Sequence, residues 1–316
     1  MSNNYPLVAF GTWSWGVGAV GGDRVFGNHL GEEDLKPVFE AAMKEHFNLW
    51  DTAVVYGMGA SESILGSYAK TYPRDNLILS TKFTPQIADT SDDPMGNMIE
   101  GSLQRLGTDY IDIYWIHNPA DVEKWTPYLI PLVKSGKVLK VGVSNHNLKE
   151  IKRAEEILSK EGIHISAVQN HFSLLYRSSA RAGILDYCKE NNIDFFAYMV
   201  LEQGALSGKY SVKNPLPAGS QRAETYNPVL DKIEDLVEGM KYIGEKHNAS
   251  VSQIAIAWAI SKGTIPIIGV TKPLHVEDAV KASKIVLTDS EISEIEQLAE
   301  KANVDTKGLW ENSMEI

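Results

Sequence analysis

Short apolar runs rich in β-formers recur along the chain. Longer stretches separate them, and there apolar residues return every three or four positions. The first kind of run predicts buried strands and the second amphipathic helices. Eight strands are predicted, over 7–13, 48–53, 77–83, 111–117, 138–145, 167–172, 193–200 and 264–269. Between them Leu35, Val38, Phe39, Ala42 and Met43 fall on one helical face, as do Met95, Met98, Ile99, Ser102, Leu103 and Leu106. Further helices are predicted near 62–72, 121–135, 147–161, 178–191, 228–247 and 250–262, with two more after the eighth strand. Ser250 with Gln253 and Thr288 with Glu291 have capping-box spacing, and Asn147 with Glu150 is a looser version.

Eight buried strands alternating with helices favour a parallel sheet, because each parallel crossover needs a helix. Eight units also suit a closed (β/α)8 TIM barrel of about 250 residues, with an open doubly wound sheet as the competitor. The fold class expected is therefore α/β, one barrel domain over 1–316, ending in a tail at about 303–316 that lines the substrate pocket. A barrel demands that reactive side chains gather at the C-terminal ends of different strands.

A glycine run after the first strand tests the competitor. Gly16-Val-Gly-Ala-Val-Gly21 has the G-x-G-x-x-G form of a dinucleotide-binding turn. The context fails: no helix is expected at the third glycine, the next helix starts near Glu32, and no acidic residue closes a second strand about 20 residues on. The run reads better as a mobile loop beside the barrel mouth.

Composition narrows the function classes. The chain has 316 residues, 43% hydrophobic and 22% charged, which is ordinary for a globular protein. No apolar run is long enough for a membrane helix, and the start MSNNYPLVAF lacks a secretory pattern. A formal net charge of −11 disfavours nucleic-acid and membrane partners. A lone cysteine, Cys188, excludes an internal disulfide and reads as a buried helix residue. His29, His46, His146, His164, His171, His247 and His275 are scattered without metal-ligand spacing, so no metal is expected. No G-x-S-x-G nucleophile elbow appears. The expected location is cytoplasmic, as a monomer or homo-oligomer acting on a small molecule.

Candidate chemistry sits where apolar runs end. Asp51 closes the second run, with Tyr56 and Gly57 beyond it, Lys82 closes the third and His117 the fourth. Asp51 and Lys82 would be neighbours in one barrel, and a buried ion pair would explain those two alone. Tyr56 and His117 extend the reading. A phenol is a poor acid near neutrality, and a nearby ammonium lowers its pKa. The carboxylate keeps the lysine charged, and a histidine can hold a substrate oxygen. The four together form a proton-delivery site for a carbonyl oxygen.

Asp51-x4-Tyr56-Gly57, Ser-Thr-Lys82, Ile-His117-Asn-Pro, Gly142-Val-Ser144-Asn145 and Val168-Gln169 resemble the aldo-keto reductase superfamily. So does Ala197-Tyr198-x2-Leu201-x-Gln203-Gly204-x-Leu206-x-Gly208-Lys209-Tyr210, and the likeness runs from Gly11-Thr12-Trp13 to about Trp310. The resemblance implies a TIM barrel that binds NAD(P)H without a Rossmann fold and reduces an aldehyde or ketone to an alcohol. It implies Tyr56 as general acid, Asp51 and Lys82 as its tuning pair and His117 as the carbonyl orienter. Ser144, Asn145 and Gln169 would hold the nicotinamide amide, with Tyr198 stacked on the ring and Thr12, Trp13 and Asp51 beside it. Leu201, Lys209 and the amides of Gly204, Leu206 and Gly208 would face the pyrophosphate.

Gly269, Thr271, Lys272, His275 and Asp278 stand where the family clamps the adenosine phosphate, without the arginine often seen there. Lys272 as a point charge and Thr271 as a hydroxyl favour NADP(H), with NAD(H) possible. Met199-Val200 replaces the family's usual Ser-Pro, and Glu202 is expected to be a solvated loop carboxylate. Trp13, Trp15, Met58, Phe83, Asn118 and Trp310 are the expected substrate walls. Two rivals stay open. One is a nucleotide-sensing regulatory subunit of the same fold, as in the potassium-channel beta subunits. The other is a barrel lyase or isomerase with no bound nicotinamide.

Overall fold

Each of eight strands pairs in parallel with the next, and the last returns to the first to close a barrel. They are β1 (Ala9–Gly11), β2 (Leu49–Asp51), β3 (Ile78–Phe83), β4 (Ile111–Ile116), β5 (Val138–Ser144), β6 (Ile165–His171), β7 (Asp194–Tyr198) and β8 (Ile265–Gly269). This is the expected (β/α)8 barrel, seen in a computed structural model that describes residues 5–315. Residues 1–4 and 316, the two ends of the expected domain, lie outside the described residues.

Strand alternation divides the core in two. Inward residues Ala9, Leu49, Ile113, Trp115, Ala167 and Phe196 form one buried cluster inside the barrel. Outward residues such as Phe10, Trp50, Leu79, Phe83, Val143 and Val168 join the helices in a second, larger cluster. That two-sided burial is why the strands read as nearly continuous apolar runs.

The helices follow the periodicity, with breaks at proline and glycine. The stretch expected as one helix over 121–135 is Val122–Trp125, a 3-10 turn at Thr126–Tyr128 and Leu129–Lys134, because Pro127 and Pro131 supply no N–H. The stretch 178–191 splits into Ser178–Arg181 and Ile184–Glu190 around Gly183, whose φ is 73°. The helix expected over 228–247 begins only at Glu234. All three capping boxes are present, at Asn147, Ser250 and Thr288.

The glycine run after β1 is a loop, with Gly16 and Gly18 at φ 79° and 121°. One expectation fails there: a four-residue helix, Gly22–Val25, does start behind Gly21. Its Asp23 carboxylate accepts from the Gly18 amide, so the loop closes on itself. The next helix, Glu32–Lys44, starts where expected.

Gly142 shows how tightly the barrel is filled. A Cβ there would lie 2.1 Å from the Trp115 ring, whose Nε1 donates to Ser80 Oγ at 2.5 Å. Gly142→Ala must displace a tryptophan wedged among the inner strands. It should cost about 1–3 kcal/mol by overpacking, read as a lower urea midpoint in chemical denaturation. An unchanged midpoint would refute this packing.

Candidate active site

The end of β2 and the end of β3 bring Asp51 and Lys82 together. Lys82 Nζ donates to Asp51 Oδ2 at 2.5 Å and to the Thr52 carbonyl at 2.7 Å. Both side chains are almost wholly buried. Asp51 Oδ1 also accepts from Ser80 Oγ at 2.7 Å and from Gln169 Nε2 at 3.1 Å. Burial alone would lower the Lys82 pKa, but the Asp51 charge, aided by Tyr56, more than reverses this and raises it. The lysine is therefore a fixed cation beneath the mouth.

Tyr56 enters from the loop after β2, where Gly57, Met58 and Gly59 all take left-handed backbone. Those turns place its ring over the lysine, with Nζ 5.0 Å from the centroid. The ring stacks on Trp13 at 5.8 Å and meets His117 edge-on at 6.0 Å. Burial pushes the phenol above its ordinary pKa, and the Lys82 charge pulls it back only in part. This corrects the expected net lowering. The aromatic walls that shield the ring from water penalise the phenolate more than one ammonium relieves, so the phenol rests protonated.

His117 follows β4. Burial and the Lys82 charge hold its pKa well below the ordinary value, so the ring is neutral. Its Nδ1 lies 2.9 Å from Thr84 Oγ1.

The ends of β5 and β6 add three amide-matching groups, Ser144, Asn145 and Gln169, each nearly buried. Asn145 has φ 61° and donates from Nδ2 to the His117 carbonyl at 2.8 Å, to Ser144 Oγ and to Asn118 Oδ1. Its Oδ1 accepts from the Tyr198 hydroxyl at 2.5 Å.

Beyond β7 and β8 the charges spread out. Lys209 and Lys272 are exposed, and both bear on His275, whose pKa is lowered by burial and then by Lys272. Thr271 contacts His275 through its amide and hydroxyl. Asp278 accepts from Gln253 Nε2 at 2.7 Å. Gly269 faces open space.

Several expected site residues sit elsewhere. Trp15 is fully buried against Trp50, and its Nε1 donates to the Val270 carbonyl. Phe83 is fully buried against Trp125, because the residue after inward Lys82 must face the helices. Neither lines the mouth. The Thr12 hydroxyl is buried between the Asp51 carbonyl and Ser61 Oγ, behind the site. Leu206 is buried, its amide and that of Gly204 donate to the Leu201 carbonyl, and the Lys209 amide donates to Ser207 Oγ. These three N–H groups are thus already satisfied within the loop. Trp13 stacks on Tyr56, Trp310 lies edge-on to Trp13 at 5.7 Å and Asn118 accepts from Asn145, while Met58 is exposed on the loop after Tyr56.

Glu202 is the sharpest correction. It is fully buried rather than solvated, and its carboxylate meets His171 Nε2 at 3.0 Å, Tyr226 at 2.6 Å and Thr306 at 2.9 Å, as well as Ser173. His171 in turn reaches Glu311 on the tail at 3.0 Å. Strand alternation puts His171 on the same inward face as Gln169, a signal present in the sequence. Glu311 lies in an irregular tail and carries no such signal.

The model of the aldo/keto reductase family matches residues 7–300. The chain belongs to the aldo/keto reductase family. Pyridoxal reductase from Arabidopsis thaliana chloroplasts is 30% identical, over 93% of this chain and 83% of its own length. An aldo-keto reductase from Schizosaccharomyces pombe, named with NADP(+), is 29% identical over 92% and 89%. The glycerol dehydrogenase from Gluconobacter oxydans superposes with a TM-score of 0.80, covering 98% of this chain and 97% of that one. At 24% identity this likeness speaks to the fold.

This aldo/keto reductase is an oxidoreductase, and its family uses nicotinamide cofactors. The donor set fits such a group. A hydroxyl and two side-chain amides at the ends of β5 and β6 offer both donors and acceptors to a carboxamide, beside a buried cation.

The Asp51–Lys82 pair itself is testable. Asp51→Asn leaves a buried ammonium without its counter-charge and should cost about 3–5 kcal/mol of stability. Equilibrium denaturation checks this, and a loss near zero would mean the pair is not buried.

Proposed function

We propose that the enzyme reduces an aldehyde or ketone to an alcohol with NADPH, with Tyr56 delivering the proton. The observation that carries this is the convergence of a protonated phenol, a fixed lysine cation and a neutral imidazole over one mouth. Ser144, Asn145 and Gln169 hold the carboxamide, Tyr198 lies against the ring, and Lys209 and Lys272 meet the phosphates. When bound, the reduced nicotinamide supplies a hydride to the carbonyl carbon.

The chain's own residues do the rest. The mechanism needs the His117 tautomer in which Nδ1 accepts from the Thr84 hydroxyl 2.9 Å away and Nε2 carries the proton and donates a hydrogen bond to the carbonyl oxygen. That bond fixes the oxygen toward Tyr56. As negative charge grows on the oxygen, the phenol gives up its proton. Lys82 stabilises the phenolate left behind, and Asp51 keeps Lys82 charged and aimed. Burial thus keeps the acid loaded before reaction, while the ammonium acts when charge appears. In the reverse direction the same groups take the proton from an alcohol.

Trp13, Met58, Asn118 and Trp310 give walls suited to an apolar or aromatic carbonyl compound. The preference for NADPH rests on Lys272 with Thr271 as partners for a 2′-phosphate, supported by the fission-yeast relative named with NADP(+). The net charge of −11 keeps nucleic acid and anionic membranes off the list of partners and accords with a cytoplasmic location.

Tyr56→Phe removes the proton and keeps the ring. It should lower kcat by about 10²–10⁴-fold and leave the NADPH Kd within a factor of about three, read by quenching of tryptophan fluorescence. Full turnover on an aldehyde that the wild type reduces would sink the mechanism. Binding of NADH but not NADPH to the wild type would instead overturn the cofactor preference.

A further inference from the structure

The C-terminal tail ends in a buried charge cluster that the mechanism above does not use. Past the last helix, Asp289–Ala302, the described residues 303–315 form no helix or strand, yet Thr306, Glu311 and Met314 are buried. Glu311 Oε1 lies 3.0 Å from His171 Nδ1, and the other ring nitrogen lies 3.0 Å from Glu202. The imidazole is therefore bracketed by two carboxylates, all three side chains lacking solvent contact. Thr306 donates to Glu202 from the start of the tail, and Glu315 accepts from Ser178 and Arg181 near its end. A buried carboxylate on an otherwise irregular segment is costly unless paired, so this cluster fixes where the tail lies.

The same carboxylate reaches the mouth. Glu311 Oε1 is 3.0 Å from the Tyr198 hydroxyl, whose single proton also faces Asn145 Oδ1 at 2.5 Å. Trp310, the neighbouring residue, points its Nε1 at that hydroxyl and packs its ring on Trp13. One phenol thus has two acceptors, one on the barrel and one on the tail.

We propose that Glu311, seated on the buried His171–Glu202 pair, is a positioning residue that straps the tail across the mouth and holds Tyr198. This rests on the reading of Asn145 and Tyr198 as cofactor contacts. When the Asn145 amide also serves a nicotinamide carboxamide, its oxygen is shared and Tyr198 needs its second acceptor. Glu311 then accepts the phenol's hydrogen bond, keeping the ring plane in place and Trp310 over the carbonyl pocket. The effect on turnover is indirect: Glu311 sets the geometry of the cofactor face and of the substrate ceiling, and transfers nothing itself.

The strap has a sign in pH. Two carboxylates outweigh the burial of His171 and raise its pKa to about 9. A raised histidine value means the stabilisation is complete below the unfolded value of about 6.5 and fades as pH climbs through about 9. The groups facing the imidazole are Glu202, Glu311 and the stacked rings of Tyr176 and Tyr198. Tyr226 acts on it through Glu202, and Asp305 and Glu315 lie near Tyr176.

The test compares the full-length wild type with Glu311→Gln and Glu311→Asp, the first removing the charge and the second keeping it. Hydrogen exchange of the 303–315 segment, corrected for intrinsic rates, reads the strap without cofactor. NADPH titration and steady-state kinetics on an aromatic aldehyde read the site. Glu311→Gln should speed tail exchange about tenfold or more. It should also raise the aldehyde KM or the NADPH Kd about fivefold or more, with kcat within about threefold, and Glu311→Asp should recover part of both. In the wild type, tail protection should fade with an apparent pKa near 9, and in Glu311→Gln at a lower pH. Tail exchange like the wild type in Glu311→Gln overturns the strap. A freed tail with unchanged KM and Kd overturns the positioning role. A wild type that binds neither NADPH nor NADH overturns the cofactor reading and with it the positioning role, while the exchange data still decide the strap.

Discussion

A lysine with no solvent contact is tolerable only beside a carboxylate, and much of this mouth is arranged around that requirement. Asp51 and Lys82 sit on adjacent strands, joined at 2.5 Å. The aspartate's other oxygen takes Ser80 and Gln169, which ties β2 to β3 and reaches across to β6. Ser80 is held by the Trp115 indole, and Trp115 occupies the space that Gly142 leaves empty. The packed barrel interior and the charged pair therefore form one continuous structure. A shift in the tryptophan layer would move the cation beneath Tyr56.

Above the pair, burial moves the pKa values of two neighbours in opposite directions and keeps both neutral. It keeps the Tyr56 phenol protonated and the His117 imidazole neutral. Lys82 works against the first effect and with the second. The resting site is thus one fixed cation, one protonated phenol and one neutral imidazole. That combination has little to do until negative charge develops nearby, which is the condition for electrostatic stabilisation to favour a transition state over a resting substrate.

Much of this was legible from residue order because a barrel ties position along a strand to position in space. The eight runs, the capping boxes and the charged residues at strand ends all follow from period and burial. Other features were not legible for physical reasons. Trp15 looked like a mouth residue, but the turn that bonds its amide to the Thr12 carbonyl sends its ring into the outer core. Phe83 was a matter of parity, one residue past an inward lysine. Glu202 looked solvated because a loop position says nothing about its partners. They come from β6, a distant helix and the tail, at separations of up to 104 residues. The long-range polar cluster is what a pattern of local periods cannot contain.

Isotope labelling of the cofactor follows the hydride. NADPH carrying deuterium in the transferable position at nicotinamide C4 is incubated with the enzyme and an aromatic aldehyde in ordinary water. The result expected is an alcohol with one deuterium on the carbinol carbon. Aldehyde consumed with no deuterium on that carbon would contradict the account.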